Sequence, residues 1–287
     1  MNLYEYDFSN VRLATILATE RLTPADDPVE VRHLILEAPE DGLDYIEGQS
    51  VAVLVPGPHE FGEAYHFRLY SIASPRLGEN GKPSTFSLCV RRCYYIDEVS
   101  GERYPGLASN YLCDSAPGDP IQIAGPCGSR FSIPDDPTAN LVMIGVGTGI
   151  APFRAFVKHI YEERGGWQGD VRLFYGAKTG MEMLYMNDVR TDLALYYDQN
   201  SFKAFEAVSP RPHFDAPPDL DRLLLAHSAE ILTLVRKPNT YVYVAGLTDC
   251  ATNFKKAMIA AAGSKEIWQN EYEELAAEGR YAELLYE

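Results

Sequence analysis

A glycine-rich segment at residues 145–152, with the sequence GVGTGIAP, is the part of the chain whose residue types most directly suggest ligand binding. It lies between an apolar run at 141–146 and a stretch with helical spacing at 151–163. Glycines permit a tight turn, and Pro152 suits the first turn of a helix, where a missing N–H costs little. Free N–H groups and the helix dipole would favour a pyrophosphate there. A glycine turn without a ligand is the alternative, because a complete G-x-G-x-x-G spacing is absent.

The cysteines and histidines form no metal-binding pattern. The five cysteines are widely spread without a C-x2-C pair, and the six histidines show neither an H-x3-H nor an H-E-x-x-H spacing. We therefore expect no metal and no iron–sulfur cluster on this chain, and we interpret the cysteines as small buried residues.

The formal net charge of −16 argues against nucleic acid or an anionic membrane as the main partner. No apolar run approaches the roughly 18 residues that a transmembrane helix needs. The first ten residues, MNLYEYDFSN, lack the basic and apolar regions of a secretory signal. We expect a cytoplasmic protein without membrane insertion.

The elements that would position these groups differ between the two halves of the chain. In the first half, short β-branched runs end at glycine and proline residues, which is typical of an antiparallel barrel or sandwich. A short helix is predicted at 106–114. The predicted strands are 31–39, 50–55, 85–92 and 120–125.

Beyond a polar, proline-containing linker at 133–140, strands and helices alternate. This alternation predicts a doubly wound parallel sheet with ligands at the carboxyl ends of its strands. We therefore predict two domains, residues 1–134 and residues 135–287. Further buried strands are predicted at 171–177, 202–209 and 240–247, and further helices at 181–197, 219–236 and 249–262.

Several segments occur in an order that is typical of one family. They are RLYSIAS (68–74), SLCVRR (87–92), ASNYLCD (108–114), GTGIAPFRAF (147–156) and TYVYVAGL (240–247). This arrangement closely resembles the plant-type ferredoxin–NADP(+) reductase family along essentially the whole chain. The resemblance implies an antiparallel β-barrel domain that binds FAD, followed by an α/β domain that binds NADP(H).

The resemblance also implies roles for residues on the flavin side. Arg68 would pair with the FAD pyrophosphate, Tyr70 would stack on the isoalloxazine, and Ser71 would direct its hydroxyl at flavin N5. Tyr95 would pack on the adenine, with Tyr94 as the alternative. The other residues expected to contact FAD are Leu69, Cys89, Val90, Gly106, Leu107, Ala108 and Ser109.

On the nucleotide side, Thr148 and Gly149 match the family's pyrophosphate turn, and Arg91 occupies a basic position of the family. Gly246 follows the last predicted strand, close to the expected position of the nicotinamide. Gly147 and Leu247 complete the expected contacts around this turn.

The segment after residue 208 contains residues that favour a 2′-phosphate and residues that oppose it. Ser209 and Arg211 fall where the family binds this phosphate, but Pro210 separates them. Asp215, Asp219 and Asp221 follow, and carboxylates would repel a phosphate but accept hydrogen bonds from a free ribose diol. We expect NADP(H) as the nucleotide, with NAD(H) as the alternative.

The C-terminus matches the family only in part. Tyr286 corresponds to a tyrosine that covers the second flavin face and moves aside for nicotinamide. Ala245 and Leu284 stand where the family often has a cysteine and a glutamate. We expect Ser71, Tyr286 and Glu287 to be the catalytic residues. The end of an amphipathic segment without a catalytic role is the alternative.

The predicted function is hydride exchange between NADPH and FAD, coupled to single-electron exchange with ferredoxin or flavodoxin. Because ferredoxins are usually acidic, we expect a local basic patch on this acidic chain. A reductase component of an oxygenase system, dependent on NADH or NADPH, and a non-catalytic flavin- or nucleotide-binding subunit are the alternatives. The residues expected to form the patch are Arg91, Arg92, Arg103, Arg154 and Lys158.

Overall fold

The computed structural model describes residues 11–39, 42–57, 64–128, 131–212 and 216–286. The chain divides into two compact units, Met1–Ser129 and Arg130–Glu287. The domain boundary expected between residues 134 and 135 stays a prediction.

The first unit is built on a six-stranded antiparallel sheet with the strand order β4-β3-β8-β1-β2-β5. An additional bridge joins Ile72, which directly follows β4, to Leu88 in the middle of β5, so that the sheet curls back on itself. The predicted antiparallel β-architecture is therefore confirmed. The elements of this unit are β1 Arg12–Arg21, β2 Val31–Glu37, β3 Ser50–Pro56, β4 Tyr65–Ser71, β5 Thr85–Arg91, the hairpin of β6 Tyr94–Ile96 and β7 Arg103–Pro105, α1 Leu107–Asp114, and β8 Pro120–Cys127.

Alternating side chains explain why β1 forms a strand, although it was not among the predicted ones. Ala14 and Ile16 are buried in the core of the sheet, whereas Leu13 and Leu17 are exposed on its other side. The core beneath the sheet also contains Phe86, Leu88, Val90, Leu112, Ile121 and Ile123.

The second unit is a five-stranded parallel sheet with the strand order β11-β10-β9-β12-β13. The strands β9, β10 and β12 are buried almost throughout, as expected for a parallel sheet with helices on its faces. The predicted α/β class is confirmed. The elements are β9 Asn140–Val146, α2 Ile150–Lys158, β10 Val171–Ala177, β11 Phe202–Val208, α3 Leu220–Ala226, α4 Ser228–Val235, β12 Thr240–Leu247, α5 Thr248–Ala262, α6 Lys265–Ala277 and β13 Tyr281–Tyr286.

The helix predicted at 181–197 is wrong. This segment contains only short 3-10 turns, Gly180–Glu182 and Ala194–Tyr196. The Asn187 carboxamide oxygen accepts hydrogen bonds from the backbone N–H groups two and three residues later, at 3.1 and 3.0 Å. Tyr185 adopts a positive φ of 62°. Local side-chain bonds of this kind compete with helical hydrogen bonds, and a left-handed residue interrupts a helix.

Among the helices that the structure describes, none combines the length and the apolar character that crossing a bilayer would require.

Candidate functional site

The segment Arg68–Ser71 forms the end of β4, where alternate side chains share a face. The exposed Arg68 guanidinium donates to the carbonyl of Phe67 at 3.0 Å, and no carboxylate in the described part of the chain pairs with it. Tyr70 lies on the same face as Arg68 and packs against the core of the sheet. An unpaired cation and an aromatic ring therefore lie side by side along β4.

Burial, together with the nearby thiols of Cys93 and Cys113, raises the pKa of Tyr70 above the ordinary tyrosine value. The phenol is therefore neutral at physiological pH and contributes a ring and a hydroxyl, not a charge. Leu69 faces the other side of the strand and packs on Ala52.

The bridge between Ile72 and Leu88 brings the predicted residues of two strands together. Ser71 directly precedes this bridge on one side, and Cys89 directly follows it on the other. The Cys89 and Val90 side chains are buried, so contacts of these two residues with a cofactor would involve their backbone.

The aromatic residues of the β6–β7 hairpin have different neighbours. The Tyr95 ring stacks on Tyr104 at a centroid distance of 5.6 Å and is 57% exposed. The Arg103 guanidinium lies 3.8 Å from the centroid of the Tyr94 ring. Tyr94 therefore already has a cation on its ring, whereas Tyr95 belongs to an exposed aromatic pair that can accept an adenine.

The N-terminus of α1 offers backbone donors to an anion. Gly106 precedes the helix and no side chain caps it. The Ser109 hydroxyl donates to the Gly106 carbonyl at 3.2 Å and accepts a hydrogen bond from the N–H of Cys93 at 3.1 Å. Ser109 thus supports the start of the helix, and the N–H groups of Leu107 and Ala108 are the donors that suit a pyrophosphate.

The predicted basic patch is wrong for three of its five residues. Arg92, Arg154 and Lys158 are largely buried, and each pairs with a carboxylate, at N–O distances of 2.8, 2.5 and 2.8 Å. Arg154 is 0% exposed, although its place in an amphipathic helix suggested a surface residue. The Arg91 and Arg103 side chains are exposed. Long cationic side chains are often buried when they are paired, and the sequence alone does not show their partners.

The glycine turn of the second unit lies directly against the end of β12. Gly147 has a positive φ of 57°. A Cβ atom on Gly149 would lie 2.2 Å from the carbonyl oxygen of Ala245, and one on Gly246 would lie 3.0 Å from the carbonyl oxygen of Val146. Two glycines therefore permit the backbone contact that holds the turn at this edge of the sheet.

Tyr286 reaches the same turn from β13. The parallel pairing of β12 with β13 sets Tyr286 beside Leu247. The hydroxyls of Tyr286 and Thr148 lie 2.8 Å apart, and the Tyr286 hydroxyl also donates to the Val146 carbonyl at 3.4 Å. Gly147–Gly149, Gly246, Leu247 and Tyr286 are thus brought together, whereas Glu287 lies outside the described residues.

One residue that contacts the turn was not predicted from the sequence. The Tyr175 hydroxyl donates to the Gly147 carbonyl at 2.9 Å. Tyr175 is fully buried in β10, and a buried tyrosine hydroxyl normally has a hydrogen-bond partner. Its place near the carboxyl end of a predicted buried strand was the available signal.

The residues expected near a 2′-phosphate follow β11. Ser209 is 5% exposed, and its hydroxyl accepts a hydrogen bond from the N–H of Arg211 at 3.2 Å, so that Pro210 is spanned by a local turn. The Arg211 side chain is exposed. Asp219 pairs with Arg222 at 3.6 Å, which offsets part of its negative charge. Asp215 lies outside the described residues.

Comparison with known proteins gives consistent matches. Residues 143–256 match the family model described as the oxidoreductase NAD-binding domain. A ferredoxin–NADP reductase of Thermosynechococcus vestitus is 34% identical over 273 residues, which cover 92% of this chain and 69% of the relative. The ferredoxin–NADP reductase of a Spirulina species is 33% identical over 283 residues, which cover 96% and 95% of the two chains.

The fold also matches a solved structure. The ferredoxin–NADP+ reductase of Plasmodium falciparum superimposes with a TM-score of 0.74 at 20% identity, covering 98% of both chains. The predicted fold class and the prediction of an oxidoreductase are confirmed by these matches. By its similarity to the cyanobacterial relatives along most of both sequences, the chain belongs to the ferredoxin–NADP reductase family.

Proposed function

We propose that this oxidoreductase holds FAD on the first unit and NADP(H) on the second, and that it exchanges electrons with ferredoxin. The family supports FAD and NADP(H) as the cofactor pair, as predicted. The observation that carries the residue assignment is the unpaired Arg68 beside Tyr70 on β4, in the same unit as the uncapped start of α1. Together they provide the cation, the ring and the backbone donors that a dinucleotide flavin requires.

Arg68 binds the FAD pyrophosphate, because its guanidinium fork is exposed and has no carboxylate partner among the described residues. The N–H groups at the start of α1 donate to the same group. Tyr70 supplies a ring against the flavin, and the Ser71 hydroxyl hydrogen-bonds near N5. FAD itself supplies the redox chemistry, accepting hydride and releasing single electrons.

The glycine turn binds the pyrophosphate of the nicotinamide nucleotide. The open space beside Gly147 leaves room for phosphate oxygens, and the backbone N–H groups directly after Gly149 belong to the first turn of α2. Arg211 and Ser209 lie at the end of β11, where a 2′-phosphate would meet an exposed guanidinium.

Tyr286 keeps its predicted catalytic role, as a gate for the nicotinamide ring. Its ring is partly exposed at the end of β13, and its hydroxyl is held by Thr148 and Val146. The tyrosine must leave this position for the nicotinamide to stack. Its hydrogen bonds therefore stabilise the closed position and oppose nucleotide entry. Glu287 keeps its predicted catalytic role as a proposal.

Ferredoxin is the partner we favour, since the relatives of this chain are named for it. The exposed Arg91 and Arg103 offer positive charge on a chain whose net charge is −16. Flavodoxin and an oxygenase component are the alternative partners. A cytoplasmic location stays a prediction, because related rice enzymes are named as chloroplastic.

Stopped-flow measurement of the flavin absorbance tests this function. The purified protein is mixed anaerobically with NADPH and, separately, with NADH. We expect bleaching of the bound flavin, with the ratio of the two rates reporting the nucleotide preference. Absence of bleaching with both nucleotides contradicts the proposal and favours a non-catalytic binding subunit.

The partner is tested by the salt dependence of electron transfer. Reduction of ferredoxin, flavodoxin and free flavin is measured between low and high ionic strength. A rate with ferredoxin that falls as salt is added indicates charge-assisted docking. Equal rates with all acceptors contradict a specific protein partner.

A further inference from the structure

Arg92 joins the end of β5 to the last turns of α1. Its side chain is 15% exposed, and its guanidinium contacts Glu30 at 2.8 Å, the Asn110 carboxamide oxygen at 2.9 Å and Asp114 at 2.8 Å. Asn110 and Asp114 are four residues apart, so they lie on the same face of the helix. One planar cation therefore fixes two consecutive turns of α1 to the sheet.

Asn110 extends this connection to the start of the helix. Its carboxamide nitrogen donates to the carbonyl of Cys93 at 2.8 Å and to that of Gly106 at 2.9 Å. Gly106 also donates its own N–H to Cys93 at 2.9 Å. Since Arg92 occupies the oxygen of the carboxamide, the nitrogen is directed at these two carbonyls.

These contacts stabilise the charged form of Arg92. Hydrogen bonds from the guanidinium to Asp114 and Glu30 raise the pKa of Arg92 above its ordinary value. A cation beside the last turn of a helix also interacts favourably with the helix dipole. A lysine ammonium lacks the planar fork that contacts several acceptors at once.

We infer that Arg92 is a positioning residue for the phosphate arm of FAD, because it holds α1 in the orientation that directs the N–H groups after Gly106 at the pyrophosphate. This inference rests on the FAD site proposed above. Arg92 has no contact with the cofactor in this assignment and acts through Asn110 and Asp114.

A comparison of flavins with and without phosphate distinguishes a positioning role of Arg92 from a general effect on the stability of the fold. Full-length apoprotein of the wild type and of Arg92→Gln is titrated with FAD and with riboflavin, which lacks phosphate, and flavin fluorescence gives each Kd. We expect Arg92→Gln to raise the Kd for FAD about tenfold and the Kd for riboflavin less than about twofold. An equal loss for both ligands means that Arg92 only stabilises the fold, and it overturns the inference.

Arg32→Gln is the matched control. Arg32 pairs with the same Glu30 at 2.5 Å and donates to Thr19 at 3.2 Å, but it contacts no described residue of α1. We expect its ratio of FAD to riboflavin affinity to equal that of the wild type. A ratio reduced as much as in Arg92→Gln would show that the effect does not need a contact with α1, and it would overturn the inference.

Two milder variants keep the test decisive if Arg92→Gln does not fold. Arg92→Lys retains the charge but not the fork, and Asp114→Asn removes one carboxylate on α1. Each is expected to raise the Kd for FAD about threefold without an equal change for riboflavin. Unchanged FAD affinity in both variants overturns the inference. A wild-type protein that binds FAD no more tightly than riboflavin contradicts the proposed FAD site itself.

Discussion

In the proposed function each unit offers the start of a helix to a pyrophosphate, and the two helix starts are held in different ways. At α1 of the first unit, polar side chains do the positioning, with Arg92 and Asn110 bonded to the helix and to the sheet. At α2 of the second unit, the backbone of Gly149 packs directly on Ala245. The polar contacts at α1 can be weakened in steps, by changing a charge or the pH. The backbone contact at α2 is lost as soon as a Cβ atom is added to Gly149. The following predictions test this difference.

The largest effect is expected at the backbone contact. Gly149→Ala places a Cβ atom 2.2 Å from the Ala245 carbonyl oxygen, so that the turn must move away from β12. We expect the free energy of unfolding to fall by about 2–3 kcal/mol and nucleotide binding to weaken with it. Denaturant unfolding and NADP(H) titration measure both.

Gly147→Ala is the control for this substitution. A Cβ atom there meets nothing within 4 Å, but φ is +57°. We expect the smaller loss of about 1 kcal/mol that a left-handed alanine costs. A loss as large as that of Gly149→Ala would show that backbone strain, not close packing, limits the turn.

On the flavin side, Arg68→Gln removes the unpaired guanidinium of β4. We expect the Kd for FAD to rise about 10- to 100-fold, because a charge-assisted contact with phosphate is lost, with little change in folding stability. Fluorescence titration of the apoprotein measures the Kd. Arg103→Gln, which removes an exposed cation from the ring of Tyr94, is the comparison, and an equal effect there would argue against a specific role for Arg68.

Tyr286→Phe tests whether the hydroxyl contact with Thr148 restrains the gate. Loss of this contact should favour nucleotide entry, and we expect nucleotide affinity to rise about 2- to 10-fold. Thr148→Val should have a smaller effect in the Tyr286→Phe background than in the wild type, since the two hydroxyls share one contact. Strictly additive effects would mean that the contact does not govern nucleotide binding.

The smallest effect is expected from a change of pH, which acts on the polar contacts around Arg92 and not on the backbone contact of Gly149. Burial alone would raise the pKa of Glu30, but hydrogen bonds from Arg92 and Arg32 outweigh it and lower that pKa below the ordinary value of 4.5. The stabilisation by Glu30 is therefore complete above pH 4.5 and is lost as the pH falls through the lowered pKa.

Acid titration of FAD release measures this contribution. We expect FAD affinity of the wild type to decline in this acid range more steeply than that of Glu30→Gln, which has no carboxyl to protonate at this position. Identical pH profiles for the two proteins would show that Glu30 does not act on the flavin side.

Much of the fold could be predicted because its signals are local. The bounds of β10 and β12 match the predicted strands at 171–177 and 240–247, since both are mainly apolar runs with polar residues on either side. The helix predicted at 181–197 is wrong because the segment has helical periodicity, but the side chain of Asn187 bonds to the backbone and competes with helical hydrogen bonds. β13 was also missed, since only its pairing with β12 makes it a strand.

The candidate site likewise combines residues that the sequence indicates with contacts that only the structure shows. Arg68, Tyr70 and the glycine turn could be proposed as site residues from residue types and order alone. The ion pairs of Arg92 and Arg154 could not, because each joins segments that are distant along the chain, and both residues had been expected in a surface patch.

The sequence by itself determined the two kinds of domain, the family and the positions of the proposed cofactor-binding segments, because these depend on local periodicity and on short motifs. Only the tertiary structure decided how the segments are held. It set Gly149 against Ala245, the Tyr286 hydroxyl beside Thr148, and Arg92 between β5 and α1. These contacts arise when distant segments pack, and their distances are fixed by the completed sheets and helices, not by neighbours along the chain.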